Sequence, residues 1–274
     1  MMFKNSGLAS MLPGKLVMSR VFLFVIALIL PLHGIADERP SRVGYAHDVV
    51  DNTLLYSEHH YETLEDKLVK KSRVEYRDTN GEVFAEKKVD FESNPYLPEF
   101  FLLNDATGHL ESTAYLDNKY KVRFVEKVND ELKEKALAYS SNAISDAGFD
   151  NFIISHWQEI IEGKQFTREF LIPGMLRFFK FRIYQDELVK NEDGKFRVLV
   201  IEPNSFLIRA FTRANRLHYA FDKPELKRFE GISNMRDAQG KNYTVLINYE
   251  NSPELLTANP NLLVMCKSLK LKLD

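Results

Sequence analysis

Apolar and polar positions alternate along most of the chain between Asn52 and Glu250. In the run EVFAEKKVDF, Val83, Ala85, Val89 and Phe91 fall on one face of a strand. Lys87 interrupts that face, while Glu86, Lys88 and Asp90 line the other. A period of two is what a sheet with one wet face requires. The run SRVEYRD precedes it across Thr79-Asn80-Gly81. An Asn-Gly pair between two such runs predicts a hairpin, because both residues tolerate positive φ.

The pattern recurs. EFFLLN turns at Ala106-Thr107-Gly108 into HLESTAYL, which turns at Asp117-Asn118 into KYKVRFVEKV. LRFFKFRIYQDELV turns at Asn191-Glu192-Asp193-Gly194 into KFRVLVIE, and LKRFEGISNMRD turns at Ala238-Gln239-Gly240 into KNYTVLINYE. With NTLLYSEHHYE from Asn52, the count is about ten strands joined by short turns, the signature of an antiparallel meander. One segment breaks the period. Phe149, Phe152, Ile153, His156, Trp157, Ile160 and Ile161 form a single stripe at 3.6-residue spacing, which predicts an amphipathic helix. Asp146 is its expected N-cap and Gly163 its expected terminator at positive φ. The expected fold is mainly β (α+β): a curved antiparallel sheet or half-barrel of about ten strands around one central helix. Residues 37–250 are expected to form a single β-rich domain, and residues 251–274 a tail without periodicity.

The first 36 residues are of another kind. Lys15 and Arg20 precede the apolar run VFLFVIALILPL, and Gly34-Ile35-Ala36 follows it. A basic start, a short apolar run and a small-residue site are the order of a cleavable secretory signal, with cleavage after Ala36. Met18 opens a more compact version of the same signal. The twelve apolar residues are too few to span a bilayer, which takes about twenty. Removing Lys4, Lys15 and Arg20 from 37 basic residues leaves 34 against 39 acidic ones, a net charge of −5. That balance argues against nucleic acid as a partner. One cysteine, Cys266, permits no internal disulfide, so the fold rests on its apolar core. An exported chain of this size without disulfides is expected in a bacterial periplasm.

Candidate chemistry is sparse. Glu58, His60 and Glu62 share one strand face and His59 points the other way, which reads as a polar strand face rather than the start of a metal site. His156 lies on the apolar stripe and reads as a core residue with one hydrogen bond. There is no G-x-S-x-G elbow, and Gly231-Ile232-Ser233-Asn234 lacks its second glycine. Asp186 and Glu187 are neighbours on a hairpin rather than a pair facing across a cleft. No phosphate loop or dinucleotide fingerprint is present, so no enzyme activity and no cofactor are expected. The segment LRFFKFRI is more suggestive. Phe179, Phe181 and Ile183 share a face that would line a pocket for a lipid or other apolar ligand, or simply fill the core.

The layout of signal, antiparallel domain and one amphipathic helix resembles the periplasmic lipoprotein-carrier (Lol/RseB-like) half-barrel fold, and the segments AGFDNFIISHW and LKRFEGISNMRDAQGKNYTVLINYE resemble those of bacterial periplasmic proteins. The resemblance implies a sheet curved around an apolar cavity for acyl chains and assigns no functional residue. The expected function is a non-enzymatic periplasmic protein that binds a lipid or other apolar ligand. The alternative is an interaction module of the cell envelope with a protein partner and no ligand.

Overall fold

Fifteen strands form one sheet in the computed structural model, which describes residues 39–191, 194–209, 212–237 and 239–251. The signal segment 1–36, Cys266 and residues 252–274 lie outside the described residues. The strands of the first half are β1 (Arg42–Asp48), β2 (Leu54–Glu65), β3 (Leu68–Arg77), β4 (Val83–Asp90), β5 (Glu99–Asn104), β6 (His109–Leu116), β7 (Lys119–Val125) and β8 (Lys133–Leu137). Those of the second half are β9 (Ala143–Ile144), β10 (Phe166–Ile172), β11 (Arg177–Asn191), β12 (Gly194–Pro203), β13 (Asn215–Ala220), β14 (Leu226–Arg236) and β15 (Asn242–Asn251). Helix α1 (Phe149–Ile161) joins β9 to β10, a 3-10 turn (Pro173–Met175) joins β10 to β11, and the short helix α2 (Phe206–Arg209) follows β12.

The chain starts in the middle of its sheet. It runs outward by hairpins from β1 to the edge strand β8, crosses to the opposite edge at β9, passes through α1 to β10, and returns through antiparallel neighbours to β15. There β15 pairs antiparallel with β1, from Arg42↔Asn251 to Asp48↔Val245. Every neighbouring pair is antiparallel except β9 with β10. The sheet is not closed by pairing of its edges, but it curls until they approach. Tyr120, Val122 and Leu137 from one side share a buried cluster with Ala143 and Leu171 from the other.

Ten of the fifteen strands match the alternating runs. The other five, β1, β8, β9, β10 and β13, correct the expected number. Three are short runs whose alternation is broken by Arg, His or Asn, β8 is almost wholly exposed, and β9 has two residues. The expectation of a single helix is corrected as well, because α2 adds a second of four residues. Asn251 is the last described residue of β15.

The turns follow their chemistry. Asp117 and Asn118 both take positive φ (49° and 59°), as a two-residue turn between twisted strands demands. Asp66 and Lys67 do the same without any glycine to announce it. In the Asn80-Gly81 turn only Gly81 is at positive φ, at 88°. There the Asp78 carboxylate accepts from the amides of Asn80 and Glu82, both at 2.9 Å.

Helix α1 packs its stripe into the curl. Phe149, Phe152, Ile153 and Ile160 are buried with Ile183, Leu199, Ile201, Leu217 and Tyr219. Its N-cap is Gly148, without a side-chain cap, and not Asp146. The Asp146 carboxylate instead receives the Lys87 ammonium at 2.7 Å, and a charged partner outcompetes backbone amides for it. A Cβ on Gly148 would lie 2.0 Å from the Tyr96 carbonyl oxygen, so only glycine fits. At the far end Gly163 (φ 94°) donates to the Ile160 carbonyl and Lys164 to that of Glu159, the bonding of a Schellman cap.

Candidate functional site

Strands β2 to β7 present two chemically distinct faces. The inner face holds even positions of β2 and β5 and odd positions of β4 and β6. It carries buried charge: Glu58, His60, Lys87 and Glu111, with Asn104 and His109 beside them. Burying such groups is unfavourable unless they are paired; the charged ones are, whereas the Asn104 side-chain nitrogen has no hydrogen-bond partner. Tyr249 Oη donates to Glu58 Oε2 at 3.0 Å, and His60 Nε2 lies 3.2 Å from the same oxygen. His60 Nδ1 is 3.5 Å from the Arg42 guanidinium, which also reaches Asp150 at 3.5 Å and Glu62 at 3.6 Å. Tyr219 Oη donates to Asp150 Oδ1 at 3.0 Å. The chain of contacts therefore ties β1, β2, β13 and β15 to the first turn of α1.

Electrostatics follow from that wiring. Burial pushes the Tyr249 hydroxyl far above its ordinary range, and the Glu58 carboxylate adds to the shift. Burial and Asp150 do the same to Tyr219. Burial alone would lower Arg42, but Asp150 and Glu62 more than offset it and its pKa rises. Every member of this network has a protein partner, so it locks the sheet to the helix. No group of three potential metal ligands exists among the described residues.

The outer face is where space opens. A trough of about 600 Å³ crosses β2 to β7, lined by Tyr61, Arg73, Lys88, Phe101, Ser112 and Arg123, with Thr63 and Ala114 beside them. A second hollow of about 160 Å³ continues it along β6 and β7. Small side chains make the floor: Ser112 pairs with Phe101 on one side and Arg123 on the other, and Ala114 pairs with Lys121. Larger side chains on the flanking strands make the walls. Phe101 is 45% exposed, an aromatic ring open to solvent between Lys88 and Ser112.

Cations rim the trough, each with an acidic neighbour. Arg73 and Arg77 both bind Glu75, Arg77 at 2.5 Å. Lys88 lies 2.6 Å from Glu86, Arg123 lies 3.2 Å from Glu134, and Lys71 lies 3.0 Å from Glu92. The Arg73 guanidinium also covers the Tyr61 ring at 3.9 Å. Burial would raise Glu75, but hydrogen bonds from Arg77 and Arg73 outweigh it and hold its carboxyl below the ordinary value. Ion pairs at an exposed rim are worth about 0–1 kcal/mol each, so an incoming anion can exchange with them.

The sequence candidates take separate places. Ile183 is fully buried, Phe181 packs against the core beside Phe170 at 5.4 Å, and Phe179 is half-buried under Arg177 at 4.5 Å. The trough includes none of the three. His60 and Glu58 point inward and His59 outward, where it meets Ser57 at 3.1 Å. His156 Nδ1 donates to the Phe152 carbonyl at 2.9 Å and its ring stacks on Phe152. Ser233 is buried against the Tyr56 hydroxyl at 2.6 Å. Asp186 and Glu187 both bind Arg216. No family model, curated protein or solved structure matches this chain.

Sequence reasoning missed the trough, although one sign was present. EFFLLN places Phe100 and Phe101 on opposite faces, so one of them had to meet water. It also missed that the largely apolar inner face buries several charged groups, which the interruption by Lys87 announced.

Proposed function

We propose that this chain is a non-enzymatic protein of the bacterial envelope, exported by its first 36 residues, that holds a lipid or similar amphipathic ligand on its outer sheet face. The reading is carried by the trough of about 600 Å³ with Phe101 exposed in its wall. Its volume falls within the range of small-molecule sites, about 300–1,000 Å³. Six strands at about 4.8 Å spacing give it a length of about 24 Å, enough for an extended acyl chain. The ring of Phe101, Ala114 and the stems of Lys88 and Arg73 offer carbon to such a chain. The trough lining carries Lys71, Arg73, Lys88 and Arg123 against Asp90 and Glu99, a net positive balance that suits an anionic head group.

Native mass spectrometry of the full chain, expressed with its own signal and purified from a bacterial periplasm, tests the reading. A stoichiometric lipid-sized adduct is expected in the native protein. Phe101→Asp puts a charge in the wall and Ala114→Trp fills the floor, and both positions are exposed, so the fold survives. Loss of the adduct in both variants supports the trough. A bare native mass, or an adduct that persists in both variants, overturns it. A second reading, an envelope interaction module without ligand, draws on the filled inner face against α1. The edge strand β8 (KEKAL) is exposed and charged, which disfavours partner binding by strand addition.

A further inference from the structure

One corner of the molecule combines exposed apolar side chains with a local excess of basic residues. Helix α2 carries Phe206, Leu207 and Ile208 at 74%, 73% and 43% exposure. Folding leaves all three in water, and contiguous exposed apolar residues of this kind mark an interaction site. Met175 of the 3-10 turn is 63% exposed. The two features stand at the same end of the sheet. Phe181 of β11 pairs with Pro203 of β12, and the Asn204 amide donates to the Lys180 carbonyl at 2.8 Å, just before α2 begins.

The charge of this corner runs against that of the protein. Residues 169–186 and 202–222 hold six Arg or Lys against four acids, Glu169, Asp186, Glu202 and Asp222, a local net charge of +2. Two of the cations are committed: Arg182 binds Glu202, and Arg216 binds Asp186 and Glu187. Arg209 anchors the loop, donating to the carbonyls of Pro203 at 3.0 Å and Asn204 at 2.8 Å. Arg177, Lys180 and Arg213 are exposed, and the Lys180 backbone meets the residue that leads into α2. Apolar residues at a tip, flanked by cations in a chain of net negative charge, are complementary to one kind of surface: an apolar layer beneath an anionic one.

We propose that the corner formed by α2 and the Pro173–Met175 turn docks on an anionic lipid bilayer, with Phe206, Leu207 and Met175 entering the head-group layer and Arg177, Lys180 and Arg213 facing lipid phosphates. The inference does not depend on the trough holding a ligand, since the two lie on different strands.

Co-sedimentation of the full chain with vesicles tests it. One set is phosphatidylglycerol mixed with phosphatidylethanolamine, the other phosphatidylcholine alone. Binding is expected to the anionic set, weakened by added salt. Phe206→Ser with Leu207→Ser should lower the partition coefficient at least tenfold. Arg213→Ser should lower it about fivefold, the weight of one basic residue near an anionic surface. These positions are exposed, and unchanged thermal melts verify the fold. The apolar segment 21–32 is identical in all variants, so its contribution cancels. Equal binding by native and variant proteins overturns the proposal, as does equal binding to both vesicle sets or none to either. Self-association that the double variant abolishes, without vesicle binding, overturns it in favour of a second copy of the chain.

Discussion

The ion pair between Lys87 and Asp146 makes an unusual energetic prediction: the buried lysine is cheaper to lose than its partner. The Lys87 side chain is 7% exposed and Asp146 is 45% exposed, at 2.7 Å. Lys87 sits on the inner face between Ala85 and Val89, with its ammonium 5.0 Å from the centre of the Phe100 ring. Asp146→Asn removes the counter-charge and leaves a buried ammonium facing an amide. Stripping a buried pair of one partner costs about 3–5 kcal/mol. The Phe100 ring returns about 1 kcal/mol, and water at the half-exposed Asp146 position softens the loss further. The expected destabilisation is about 2 kcal/mol, or about 4–8 °C in Tm for a domain of this size. Lys87→Met keeps the side-chain length and removes the charge, leaving an aspartate that water can solvate. It is expected within about 1 kcal/mol of the native protein. The double variant should match Lys87→Met. Urea denaturation followed by circular dichroism measures all four corners of the cycle. If Lys87→Met costs more than Asp146→Asn, or if the two effects simply add, the pair is not the reason Lys87 is tolerated inside.

Three further outcomes are expected. Burial holds Tyr56, Tyr76, Tyr219 and Tyr249 far above the ordinary phenol value of 10.0. The stability this confers is complete below pH 10 and is lost as pH rises through the folded values, because the unfolded chain releases those protons first. Ultraviolet titration of phenolate should therefore lag in the native protein and rise abruptly on unfolding; a curve matching that in guanidinium would refute the burial. Gly148→Ala drives a Cβ against the Tyr96 backbone and should cost more than about 3 kcal/mol, whereas Gly163→Ala meets open space at φ 94° and should cost about 1 kcal/mol. Thermal melts in which the two glycine variants are equal would contradict the cap geometry. Ile183→Ala in the core should cost about 2–5 kcal/mol, and Phe101→Ala on the trough wall less than about 1 kcal/mol; the reverse order in chemical denaturation would invert the assignment of faces.

Much of the architecture was legible because a period of two survives locally. Most strands found from alternation border a turn whose residues also announce it, such as Asp117-Asn118 and Asn80-Gly81. The strands that escaped lack that double signal. Strand β8 is charged because it is an edge, and β13 carries Arg216 and His218 because one flank faces an ionic neighbour on β11 or β14. The candidate sites were less legible. Phe179, Phe181 and Ile183 share a face as expected, but α1 and β10 claim that face, and no local pattern states what will pack on a strand.

The sequence by itself determined the local grammar: alternating faces, hairpin turns, the stripe of α1, the glycine that ends it, and the signal-like character of residues 1–36. It also marked Lys87 as a break in an apolar face. Only the tertiary structure decided what that break means, since Asp146 arrives from 59 residues away to meet it. It likewise decided that β1 pairs with β15 across some two hundred residues, that the edges curl together, and that the open space lies on the outer face. Alternation is a property of neighbours along the chain, set by backbone geometry. Pairing, curvature and the neutralising of buried charge depend on contacts between distant segments, and those exist only once the whole sheet has assembled.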